Sequence, residues 1–245
     1  MMKEYTYDLH VHSCLSPCGD VDMTPSNIIG MAMIAECDIL AITDHNSAKN
    51  ARAVMQAGEE AGILVIPGME LCVDEEAHIV CLFETIEGAE AFDEYVYAHM
   101  PHIKNRAEVF GEQQIRDAQD NIIGLEENLL IVASQIDVSA VMPLAAQFGG
   151  TAFPAHVNRD SYSIIASLGM IPPETGFKTA ELTYDCDEFQ YFKQQPELMD
   201  MRILRNSDSH YLETLANPKA KMRLEEKTRR AVIEKIAGGI QKVNR

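Results

Sequence analysis

Seven short apolar runs, at 5–10, 37–44, 62–70, 78–83, 150–156, 179–184 and 202–208, recur along the 245 residues, and longer runs of helical pattern separate most of them. Strands joined through ten to fifteen helical residues cross over and run parallel, so the alternation predicts an α/β fold with a parallel sheet. Seven such strands come close to a (β/α) barrel. Helices are expected to start at Pro25, with Thr24 as N-cap, and at Ser47 as a second cap, and to run over 47–61, 86–99 and 138–148. Residues 101–137 break the rhythm. They are mostly helical in pattern and supply no clear strand, which marks a helical insertion capping one face of a single domain spanning 1–245.

Polar residues interrupt the apolar runs mainly at their C-terminal ends. His10 and His12 end the first run, Asp44 and His45 the second, Glu70 the third, His156 the fifth, and Asp208 with His210 the seventh, while His78 opens the fourth. In parallel barrels that rim carries the active site. Residues two apart on a strand share a side, so His10 and His12 can aim at one point, and the Asp-x-His pair at 208–210 repeats the device. Burying so many titratable groups without a cation is costly, so His10, His12, Asp208 and His210 read as metal ligands. Glu70 reads as a carboxylate able to bridge two cations. A lone histidine such as His78 or His156 is more often a hydrogen-bonded structural residue, and only membership of the cluster argues otherwise. His99 and His102 read as surface or lid residues, and Met31, Met33 and Met55 as core filling.

The formal charge of −18 argues against broad electrostatic binding to duplex nucleic acid or an anionic membrane. The N-terminus lacks the basic start and apolar stretch of a signal peptide, and no run reaches the length of a membrane span, which predicts a soluble cytoplasmic protein. Cysteines 14, 18, 37, 72, 81 and 186 show neither a disulfide framework nor a paired zinc-ribbon spacing, so free thiols are expected.

The blocks DLHVHS, AITDHN, GMEL, HIV, AH and SDSH, in that order between residues 8 and 210, resemble the polymerase and histidinol phosphatase (PHP) family of metal-dependent phosphoesterases. The resemblance implies a distorted seven-stranded TIM-like (β/α) barrel holding two or three divalent ions, whether zinc, manganese or iron. It assigns His10, His12, Glu70 and Asp208 to one metal, with Glu70 bridging to a second held by His78 and His156. A third would be held by His45, His210 and a residue of the loop after His12. In that loop, SCLSPCGDVDMTP, Pro17 and Cys18 stand where many relatives carry a ligand, whereas counting back from the Thr24-Pro25 helix start reaches Asp20. Asp20 is therefore preferred, with Cys18 its rival. Asp44 is expected to orient a ligand histidine or to protonate the leaving group. Arg159 matches a basic residue after the AH block in similar small-molecule phosphatases and is expected to grip phosphate, the alternative being an ordinary loop arginine. Lys104, Arg106 and Arg116 are weaker candidates.

Such a ligand set implies attack on phosphorus, in line, by a hydroxide bridging the metals, since cations lower the pKa of bound water. The expected substrate is a small phosphomonoester or nucleotide: a nucleotide, nucleoside bisphosphate, sugar or histidinol phosphate, or short oligonucleotide. Duplex nucleic acid and membranes are not expected as partners, and no segment marks an oligomeric interface. Two alternatives stand beside this reading, an amidohydrolase-like metallohydrolase acting on a non-phosphate bond and a non-catalytic metal-binding regulatory module. The near-complete ligand set argues against the second.

Overall fold

Strand β1 (Lys3–Val11) lies within a curled six-stranded sheet in the computed structural model, which describes residues 1–215 and 220–240. The other strands are β2 (Ile39–Ile42), β3 (Leu64–Cys72), β4 (His78–Phe83), β5 (Gln114–Arg116), β6 (Ile122–Leu125), β7 (Gly150–Pro154), β8 (Thr179–Leu182), β9 (Arg202–Arg205) and β10 (Ala220–Leu224). The sheet order is β10-β1-β2-β3-β4-β7, with β5-β6 and β8-β9 as separate pairs. Every one of the seven expected runs contains a strand.

The architecture is a half-barrel rather than the expected continuous seven-stranded barrel, and it is not all parallel. Strands β1, β2 and β3 are parallel, whereas β4 runs antiparallel to both β3 and β7, and β10 runs antiparallel to β1. Only residues 73–77 join β3 to β4. A parallel crossover needs a dozen or so residues, so β4 has to reverse. Reversal puts His78, the first residue of β4, at the same rim as the C-terminal ends of β1 and β3. At Gly68 on β3 an added Cβ would stand 2.4 Å from the Cys81 carbonyl oxygen, so the two strands meet there only around glycine. The β8-β9 pair is tied to this rim by Val157 N–H to Glu181 O at 2.9 Å on one side and His12 N–H to Ser209 O at 2.9 Å on the other.

Alternation on the strands buries both faces. On β2, Leu40 and Ile42 pack into one apolar cluster and Ile39 and Ala41 into the other. That is the pattern of a sheet covered on one side by helices and filled on the other. The helices are α1 (Pro25–Ile34), α2 (Ala51–Ala61), α3 (Ile86–Ala98), α4 (Ala107–Phe110), α5 (Val138–Gln147), α6 (Ile164–Leu168), α7 (Glu188–Gln194), α8 (Leu212–Leu215) and α9 (Arg229–Ala237). Thr24 caps α1 as expected. Ser47 does not cap α2, which starts after Asn50, because its hydroxyl donates to Asp93 on α3 at 2.8 Å. Met55 is buried and Met31 partly so, but Met33 is 57% exposed and fills no core.

Residues 101–137 depart furthest from expectation, forming the β5-β6 hairpin and the single turn α4 in place of a helical cap. Local turn chemistry wins over helical periodicity here. Gly111 adopts a left-handed φ of 80° and ends α4, and Asp117 Oδ1 accepts from Gln119 and Asn121 N–H to close the hairpin. The segment is anchored to the loops after β1 and β2: Gln114 N–H donates to the Cys14 carbonyl at 3.1 Å, and the Asn46 amide donates to the Leu130 and Val132 carbonyls. Among the described residues no helix is long and apolar enough to cross a membrane.

Candidate metal centre

Glu70, near the end of β3, is the hub of the rim. Its Oε1 lies 3.1 Å from His10 Nε2, 3.0 Å from His78 Nδ1 and 3.1 Å from His156 Nε2, and its Oε2 lies 3.3 Å from His12 Nε2 and 3.0 Å from His45 Nδ1. Asp208 Oδ1 stands 3.3 Å from His10 Nε2 and 3.2 Å from His12 Nε2. Donor atoms gather into three overlapping groups, His10-His12-Glu70-Asp208, His45-Glu70-His78 and His12-His45-His210. His156 joins through Glu70.

Hydrogen bonds behind the rings set which nitrogen faces inward. His10 Nδ1 lies 3.1 Å from both oxygens of Glu181, which also accepts from the Asn206 amide at 2.6 Å and from His156 N–H at 3.0 Å. His12 Nδ1 meets the Ser16 hydroxyl at 2.9 Å, and that hydroxyl already donates to Asp44 at 2.7 Å, so the ring is the donor. His210 Nδ1 donates to the Asp208 carbonyl at 2.9 Å. In each ring Nε2 is left as a lone-pair donor, the arrangement that outer partners impose on metal-binding imidazoles.

With neutral rings the inward atoms lack the protons that would reconcile them. His10 Nε2 and His12 Nε2 face each other at 3.2 Å, and Asp208 Oδ1 and His45 Nδ1, both turned toward the cluster, are buried with no hydrogen-bond partner. Lone pairs and carboxylate oxygens this close call for cations between them, so the residues suit divalent metals. With no cation bound, protons on the rings take over that balancing, and the titration of the groups reflects it. Burial alone would lower His10, but Glu181, Glu70 and Asp208 hold it well above its ordinary value. Burial alone would raise Glu70, but His78, His10 and His45 hold it well below the carboxylate range. Burial, helped by the neighbouring His12, pushes His45 down to about 4 and His210 to about 3.

Backbone strain concentrates at the same place. His156, Asp208, Tyr162 and Asn46 adopt positive φ of 29°, 50°, 52° and 47°. Non-glycine residues pay roughly 1–3 kcal/mol each for such conformations, which persist where the surroundings over-determine them.

The other expected residues sort by geometry. Cys18 Sγ lies 3.2 Å from His45 Nε2, whereas the Asp20 carboxylate accepts from Asp22 N–H at 2.9 Å and faces the outer cleft. The Cys18 sulfur, and not the expected Asp20 carboxylate, is thus the group that the turn at Gly19 brings beside His45. Asp44 is buried and accepts from Ser13 N–H and the hydroxyls of Ser13 and Ser16, so it reaches His12 through Ser16 and does not line the cavity at Glu70. Arg159 Nη1 pairs with Asp208 Oδ2 at 2.6 Å, beside the cluster. Arg116 is engaged by Gln114 and the Asp120 carbonyl, Arg106 lies over Phe110, and neither these nor Lys104 line the cavity at Glu70. His99 stacks on Tyr95, and His102 lies near Asn128 on the surface. Glu181 and Tyr162 were missed by sequence reading. Glu181 could have been found by the rule that singled out His10, a charged residue inside a run, TAEL, that otherwise reads as buried strand. Tyr162 stacks on His78 with ring centroids 5.0 Å apart, and no sequence pattern announces it.

A model of the PHP domain matches residues 8–158, more than half of the chain. The chain belongs to the PHP family. Members of this family are metal-dependent hydrolases, in keeping with the donor groups around Glu70. No curated protein matches the chain. Among solved structures, the lesion-specific endonuclease Q of Pyrococcus furiosus superposes with a TM-score of 0.70 at 15% identity, covering 96% of this chain and 56% of that one. Endonuclease Q in complex with a 27-mer duplex carrying an abasic lesion at its active site gives 0.69 at 15%, covering 97% and 57%. The PHP chain thus spans a little over half the length of endonuclease Q. A protein of Bifidobacterium adolescentis, named for an inferred metal-dependent phosphoesterase activity, gives 0.59 at 16%, covering 87% and 90%. The endonuclease Q complex overturns the exclusion of duplex nucleic acid. Net charge averages over a whole surface, while a duplex meets only one face of it, so a charge of −18 does not bar the fold from such a partner.

Proposed function

We propose that this PHP-family chain is a divalent-metal-dependent phosphoesterase that hydrolyses a small phosphomonoester or nucleotide. One observation carries the reading: the imidazoles and carboxylates gathered around Glu70 open into a cavity of about 250 Å³ whose wall includes Arg159. His10, His12, Glu70 and Asp208 would hold one cation, Glu70, His78 and His156 a second, and His45 with His210 a third. Imidazole and carboxylate together suit zinc, manganese or iron. Bound cations would supply the Lewis acidity that lowers the pKa of water and screens phosphoryl oxygens.

The chain's own residues position the ester. Arg159 pairs with Asp208 through one terminal nitrogen and is 45% exposed, so its remaining N–H groups are free to take phosphate oxygens. Tyr162, over His78, offers a ring face at the cavity wall, and Ile131 an apolar patch. A second cavity of about 520 Å³ also has Arg159 in its wall, together with Asn158, Asp160, Tyr184 and Asp185, and offers polar room for the remainder of a substrate. Residues 1–245 read as one PHP domain, with 101–137 covering part of the rim.

Likeness to endonuclease Q over nearly the whole chain favours a second reading, cleavage of a phosphodiester in duplex nucleic acid. The two are separated by assaying protein loaded with Mn or Zn against nucleoside monophosphates and bisphosphates, sugar phosphates, histidinol phosphate, short oligonucleotides and an abasic duplex, with amides and carboxylic esters as controls. Phosphate release from a small monoester is expected, abolished by chelation and restored by metal, with Arg159→Ala raising KM roughly 10- to 100-fold, the scale of a charged hydrogen bond. Cleavage of the duplex alone would select the second reading. Turnover of amides or carboxylic esters alone would overturn both.

A further inference from the structure

We propose that Cys18 supplies a thiolate to the third cation position, making it a mixed nitrogen–sulfur site where the family resemblance implies a carboxylate. The inference rests on the metal-dependent reading above and adds a ligand to it. It starts from the loop after β1. Ser16 N–H donates to the Ser13 carbonyl at 3.1 Å and Gly19 N–H to that of Ser16 at 2.8 Å, winding the chain into consecutive turns. A Cβ on Gly19 would stand 2.4 Å from the Ser13 carbonyl oxygen, so the winding requires glycine. The turn brings the Cys18 sulfur to 3.2 Å from His45 Nε2, and Cys18 lines the cavity shared with His45, Glu70, His78 and His210. Asp20 lies on the outer cleft instead. Its N–H donates to the His210 carbonyl at 2.9 Å, and its carboxylate is turned back onto Asp22.

The second observation is independent of the cysteine. Donor nitrogens of His12, His45 and His210 lie within 4.8 Å of one another. With Nδ1 of His210 committed to the Asp208 carbonyl, its Nε2 lone pair has no donor assigned to it. With His12 given to the first cation, His45 and His210 remain as neutral donors alone, and a sulfur beside one of these rings would add the missing anion. Nitrogen and thiolate ligation together select for zinc over manganese, because a soft donor favours the softer ion. A coordinating thiol is deprotonated by the ion itself.

The test uses the full chain, stripped of metal and titrated with Co(II). Wild type should develop a sulfur-to-cobalt charge-transfer absorption, and Cys18→Ser should lose that band and bind one cation fewer per chain while keeping its melting temperature. Asp20→Asn should keep the band. Iodoacetamide mapping gives a second readout, with Cys18 modified in metal-free protein and protected by zinc. A wild type that binds two or more cobalt ions without the band, or a Cys18→Ser protein that retains it, overturns the thiolate assignment and leaves the metal-dependent reading standing. A protein that takes up no cobalt overturns both.

Discussion

Around Glu70 five imidazoles close to within 3.3 Å and the supporting hydrogen bonds are buried, whereas in the 101–137 segment Ile122, Ile123 and Leu125 each stay at least half exposed on a hairpin of three residues against four. The rim is a set of charges that satisfy one another, so removing one unbalances several. The hairpin is a local turn held by a few side-chain amides, and its outer face carries little energy. One chain therefore contains a region where single substitutions propagate and another where they stop at the surface.

The largest effect should follow from Glu70→Gln, which leaves five rings facing an amide. Breaking a buried charge cluster costs about 3–5 kcal/mol, so activity on the substrate found in the panel should fall roughly a thousandfold, with loss of at least one cation per chain. Turnover and elemental analysis check this, and full metal content with unchanged turnover would place Glu70 among ordinary loop carboxylates.

A smaller loss is expected from Glu181→Gln, one shell behind. Changing such a partner typically costs about 10- to 100-fold in metal affinity or activity. It should also change the pH dependence. His10 is held well above its ordinary value in the metal-free protein, burial being outweighed by Glu181, Glu70 and Asp208, so at neutral pH an entering cation displaces a proton. Affinity should therefore rise with pH through the His10 value and fall on acidification. In Glu181→Gln that rise should move to lower pH. Calorimetric titration with Zn at several pH values measures both, and an unmoved profile would mean that Glu181 does not govern His10.

The smallest effect sharpens the contrast from the other side. Ile123 is 66% exposed on β6, and Ile123→Asp should change stability by no more than about 0.5 kcal/mol, with metal content untouched. A marked drop in melting temperature would show that the hairpin face is covered in solution and that the two regions are not so different.

Legibility in the sequence followed the same division. The runs that became β1 to β4 and β7 to β9 could be read because buried strands demand apolar residues at period two, and His10, His12, Glu70 and Asp208 stood out by violating that demand. Glu181 violates it equally, but a single carboxylate in TAEL carries no partner nearby in sequence. Strand β10 pairs with β1 across more than two hundred residues, and its exposed, charged AKMRL pattern shows only a half-buried edge. The hairpin at 114–125 was hidden because Asp117, Asp120 and Gly111 set its turns, while helical spacing of its apolar residues pointed elsewhere.

By itself the sequence determined the α/β class and the rim at which chemistry-bearing residues gather, since both follow from local spacing, and its motif blocks carried the resemblance to the PHP family. Only the tertiary structure decided that the Cys18 sulfur and not the Asp20 carboxylate lies beside His45, and that Asp44 fastens Ser13 and Ser16. Each of those depends on where a short loop points its side chains, and that is set by packing between residues far apart in the chain, which no local pattern encodes.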